Sequence, residues 1–63
     1  MSSPDISELF AGLTALIEDM HGIVMEGRGA DLTVDMARGL AGHVRTGLSR
    51  GEQMVKSIEA ALP

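Results

Sequence analysis

The chain has 63 residues, 44% of them apolar and 22% charged, with a formal charge of −4, one Phe and no Tyr, Trp or Cys. A domain this short buries only about 60% of the surface its unfolded chain exposes, so its core is marginal unless something reinforces it. Without Cys, disulfides and thiolate zinc sites are excluded, which leaves tight helix packing or association with another chain. The longest apolar runs, Ala15-Leu16-Ile17 and Ile23-Val24-Met25, fall far short of the ~20 residues that span a bilayer. Ser, Pro and Asp follow Met1 where a secretory signal would place basic residues. The expectation is a single soluble cytoplasmic domain with no membrane contact.

Ser3, Pro4 and Asp5 read as a helix start: a side-chain oxygen to cap free N–H groups, Pro in the first turn, and an acid against the dipole. Ile6, Leu9, Phe10, Leu13, Leu16, Ile17, Met20, Ile23 and Val24 then recur at helical spacing. They cover a band roughly 80° either side of Leu13. Gly27-Arg28-Gly29 interrupts this pattern and favours a turn. Helix 1 is predicted over residues 4–26 and the turn over 27–32.

Thr33 is a candidate N-cap for a second helix, with Asp35 in its first turn. Val34, Ala37, Ala41, Val44, Leu48, Gly51, Val55, Ile58 and Leu62 follow at alternating spacings of three and four, which predicts one helix over 33–62. Gly39, Gly42, Gly47 and Gly51 oppose it, each costing about 1 kcal/mol relative to Ala in a helix interior. Ser49-Arg50-Gly51-Glu52 also matches a capping box, so a break near Leu48 giving three helices is the alternative.

Two long helices joined by a short Gly-rich turn predict an all-α antiparallel hairpin. Folding about residue 30 places Phe10 beside Gly51, Leu13 beside Leu48, Ile17 beside Val44, Met20 beside Leu40 and Ala41, and Val24 beside Met36 and Ala37. In that register helix 2 outruns helix 1, leaving Ile58 and Leu62 unpartnered. One pair of helices cannot enclose faces this wide, so a two-fold homodimeric four-helix bundle is expected. Its core would comprise Phe10, Leu13, Ile17, Met20, Val44, Leu48, Gly51, Val55, Ile58 and Leu62.

Catalytic signals are weak. None of the five serines has a His three or four residues away to activate it, and Gly27-Arg28-Gly29-Ala30-Asp31 lacks the strand and Gly-Lys-Ser/Thr ending of a phosphate loop. Glu18-Asp19-Met20-His21 has the E-x-x-H form used by di-iron bundles, but the helical wheel puts Glu18 roughly 140° from Leu13, on the outer side. Neither an enzyme nor a cofactor is expected, and if a metal binds, Glu18, His21 and His43 are the residues to hold it.

Charge divides the chain. Asp5, Glu8, Glu18, Asp19 and Glu26 precede the turn with no basic residue, and Arg28, Arg38, Arg45, Arg50 and Lys56 all follow it. Opposite surfaces help helices select their neighbours. Arg38, Arg45 and Lys56 also share an edge of helix 2 that could meet an anion, although Glu52 interrupts it and no Tyr or Trp is present for base stacking. Met25, Met36 and Met54 fall at the edges of the seam or outside it, where adaptable Met side chains suit a dimer contact or a partner. In chain length and helix layout the hairpin resembles the Rop-type RNA-binding four-helix bundles, without a shared motif. The leading expectation is a non-enzymatic homodimer acting on another protein as adaptor, assembly factor or inhibitor. A Rop-like nucleic-acid binder is the alternative, and a metal-binding bundle a distant third.

Overall fold

The computed structural model describes residues 5–63, which form two α-helices, α1 (Ile6–Glu26) and α2 (Val34–Ala61), packed against each other as an antiparallel hairpin. No helix among these residues is long and apolar enough to cross a membrane. Asp5, expected within the first turn, is instead the N-cap of α1: its Oδ1 accepts the Ser7 N–H at 3.0 Å. The expected roles of Ser3 and Pro4 lie outside the described residues. Thr33 caps α2 through Oγ1, which accepts the Met36 N–H at 3.1 Å. Both caps satisfy an N–H that the helix itself leaves free.

The end of α1 differs from a left-handed glycine cap. Gly27 keeps φ −66° and ψ −11°, and no described residue has positive φ. The last turn tightens instead, with Arg28 N–H donating to Met25 O at 3.1 Å and Gly29 N–H to Glu26 O at 3.1 Å. Thr14, Thr46 and Ser57 return their hydroxyls to the carbonyls of Phe10, Gly42 and Gln53, which keeps these poor helix formers satisfied within the helices.

Glycines fix how the helices meet. A Cβ on Gly47 would stand 2.8 Å from Met20 Cγ and Sδ, one on Gly51 3.5 Å from Leu16 Cδ2, and one on Gly12 3.0 Å from Met54 Cε. Large side chains of each helix therefore sit over backbone of the other. This corrects the expected register by about a turn and a half. Leu16, not Phe10, lies beside Gly51, and Met20 lies beside Gly47, not Leu40 and Ala41. At the other end, Leu40 reaches Gly27. The first turns of α2 thus run beside the connecting segment, where Leu32, Met36 and Leu40 cluster near Glu26. The displacement also brings the C-terminal part of α2 alongside the start of α1, so Ile58, expected to lack a partner in the hairpin, is only 6% exposed. Leu16 at 9% is the other buried hydrophobic side chain among the described residues.

The seam of α2 is Ala37, Leu40, Val44, Gly47, Gly51, Met54, Ile58 and Ala61, all buried or half-buried. It keeps half of the expected heptad series and replaces the other half by residues on the side nearer α1. Ala41, Leu48, Val55 and Leu62 are exposed. Gly39 and Gly42 face open space. Gly39→Ala and Gly42→Ala should each raise stability by about 0.5–1 kcal/mol in thermal melts. Gly47→Leu should lower it by about 1–3 kcal/mol, because Met20 occupies the space the new side chain needs.

Candidate interaction face

With two helices in one layer, the hairpin has two broad faces, and they differ. On one, Phe10, Ile17 and Val24 recur every seven residues along α1 with exposures of 52%, 57% and 49%. Along α2, Val34, Ala41, Leu48, Val55 and Leu62 recur at the same interval, and all are exposed. Between the two rows runs an open groove, its floor formed by Leu13, Leu16, Met20, Gly47 and Gly51 and its walls by Ile17, Val24, Leu48 and Val55. Only His21 and Glu52 bring polar atoms to its rim. The groove exists because each helix carries a wider apolar band than its neighbour covers.

The opposite face is polar. Asp19, His43, Thr46 and Arg50 surround a second groove there over Leu16 and Ile23. Glu8 and Glu26 stand about three turns before and two turns after Asp19 on α1, which puts them on this side as well. The charge asymmetry seen along the chain is therefore also an asymmetry between faces: these acids of α1 lie away from the apolar groove.

Of the expected core residues, Leu13, Met20, Val44, Gly51 and Ile58 lie within the hairpin seam, whereas Phe10, Ile17, Leu48, Val55 and Leu62 line the exposed face. Among the methionines, Met25 and Met36 are exposed at 46% and 55% near the turn. Met54, expected at an edge, is half-buried in the seam against Gly12. Arg38 lies 3.9 Å from Asp35, and Lys56 lies 3.5 Å from Glu52, both pairs largely exposed. Such pairs are weak and hold neither cation firmly. Arg38 and Arg45 flank a shallow cleft over Ala41 and Gly42.

Glu18, His21 and His43 do not converge. His21 rims the apolar groove, His43 rims the polar groove on the other face, and Glu18 is exposed. Among the described residues no three His, Asp or Glu side chains come together as a metal site would require. Thermal melts with and without zinc, iron(II) or manganese should superimpose, since a ligand bound only by the folded chain raises the transition. An upward shift lost in His21→Ala would overturn this.

No protein-family model, curated protein or solved structure matches the chain.

Proposed function

We propose that the protein is a small non-enzymatic helical protein that works by protein–protein contact, as an adaptor, assembly factor or inhibitor, and that it associates through its apolar face. The observation carrying this reading is the continuous apolar face: Phe10, Ile17, Val24, Val34, Leu48, Val55 and Leu62 are 42–74% exposed. The 6.6 kDa chain exposes 5087 Å², whereas a compact monomer of that mass exposes about 3,900 Å². Its radius of gyration is 15.0 Å, against about 11 Å for a compact domain of this length. Exposed apolar surface arranged in a continuous face marks a contact site, whereas scattered apolar residues do not.

Binding of a nucleic acid is the second reading, and the cleft between Arg38 and Arg45 favours it. Against it stand the acids of α1, the neighbouring Asp35 and Glu52, and the lack of Tyr or Trp for stacking.

Light scattering at micromolar concentration should give a mass of at least twice 6.6 kDa. Ile17→Asp and Val55→Asp place charge on residues already exposed in the hairpin, so each should preserve helicity while weakening association about a hundredfold or more. A folded protein that stays monomeric at high concentration would remove the basis of the proposal. Binding to structured RNA with a steep salt dependence, lost in Arg38→Ala/Arg45→Ala while the assembly persists, would replace it with the second reading.

A further inference from the structure

The residues beside the exposed row of α2 state what covers it. Arg38, Arg45, Glu52 and Glu59 are spaced every seven residues, each four positions after a member of the row Val34, Ala41, Leu48 and Val55. They share the flank of α2 away from α1, and all four are exposed. At this heptad position the signs run plus, plus, minus, minus, and Lys56, one turn after Glu52 on the same edge, lies 3.5 Å from its carboxylate. Reversing the helix about Leu48 turns that order into its complement and maps the apolar row onto itself. Leu48 falls on Leu48, Ala41 on Val55 and Val34 on Leu62. Arg45 falls beside Glu52, and Arg38 beside Glu59.

We infer that the apolar face is covered by a second copy of this chain, turned end for end about a two-fold axis through Leu48, with α2 packed antiparallel on the partner's α2. This rests on the proposed protein-contact role of the face and adds its occupant and register. In antiparallel helix pairs, flanking residues of one heptad position meet the same position of the partner helix, so this symmetric pattern sets each of the four against an opposite charge, while Lys56 stays with its own Glu52. The attractive pairs are Arg38 with the partner's Glu59, Arg45 with the partner's Glu52, and the two related by symmetry.

The axis position also suits the fold. Leu48 lies close to the middle of α2 (Val34–Ala61), so the two hairpins overlap along their whole length with their turns at opposite ends. The same rotation stacks α1 antiparallel on the partner's α1, bringing Leu13 opposite the partner's Val24 and closing the groove from both sides. The other two-fold stacking keeps both turns at one end and lays α2 on the partner's α1. Asp19 lies on the polar face, with Glu8 and Glu26 on the same side by spacing, and the residues of α1 four positions after its apolar row are Thr14, His21 and Arg28, so that arrangement sets no carboxylate at the matching flank position for Arg38 and Arg45. It leaves like charges unanswered where the first pairs them.

The chain has no Cys, so single cysteines report the register directly. Leu48→Cys should form a disulfide-linked dimer rapidly under mild oxidation, because its two copies face each other within the ~7 Å Cα separation a disulfide needs. Val55→Cys alone should not, its copies standing about 21 Å apart along the bundle, but mixed with Ala41→Cys it should cross-link to that variant. In the Cys-free protein, Arg45→Glu should weaken dimerisation about tenfold, and Arg45→Glu/Glu52→Lys should restore it. A dimer by mass in which Leu48→Cys stays reduced, or in which the double variant is no tighter than Arg45→Glu, would overturn the register and leave the protein-contact role standing. A folded monomer in every variant would overturn both.

Discussion

The close approach of backbone at Gly47 and Gly51 governs the rest of this structure. With no Cβ at these positions, Met20 and Leu16 settle directly against α2, and Gly12 accepts Met54 in the same way from the other side. Three such contacts along one seam fix the translation of one helix past the other, because a slide of one turn leaves only one of Leu16 and Met20 over a glycine and moves the other, with Met54, off it. Everything on the surface is a consequence of that translation. It buries Ile58, leaves Leu48 and Val55 outside, and pairs the first turns of α2 with the connecting segment instead of with α1.

The two helices and their antiparallel arrangement were legible from the sequence because local rules decide them. Thr33 caps where a Ser/Thr before an apolar period should, and the apolar spacing on both sides of Gly27 is helical. The register was not legible for a physical reason. Helix α2 carries its apolar residues in three adjacent rows, and either neighbouring pair of rows can serve as a seam with unbroken three-and-four spacing. Gly51 can receive a large side chain from Phe10 or from Leu16 with equal plausibility when only residue size is considered. Turn length did not separate them, since the connecting segment lies back along α2 and moves the level at which the helices cross.

The exposed face was half visible in the same way. The width of the apolar bands shows in the sequence that one hairpin cannot bury them all, but not that Phe10, Ile17, Leu48, Val55 and Leu62 are the ones left outside the seam. Leu16 and Gly47, which do most to hold the helices together, stood out least, one as a single member of a long apolar series and the other as a helix-weakening glycine. Met54 lies at an edge of the row pair that includes Leu48 and Val55 but inside the pair that faces α1, where it meets Gly12. The order of charges Arg38, Arg45, Glu52 and Glu59 is plain in the sequence, but it acquires meaning only once the row beside it is known to be uncovered.

Glycine also enters at positions with no packing purpose. A Cβ would meet nothing within 4 Å at Gly22, Gly39 or Gly42, so each gives up helix propensity without gaining a contact. Two of these lie in the half of α2 nearer the turn, where Val34 is 74% exposed and Met36 55%. The other half contains the Gly47 and Gly51 contacts and Ile58. Local stability is therefore expected to be graded along a single helix, with amide protons near Gly39 and Gly42 exchanging through openings that leave the far end closed. The end of the hairpin beside the turn is then the end expected to open first and to be cleaved first in limited proteolysis.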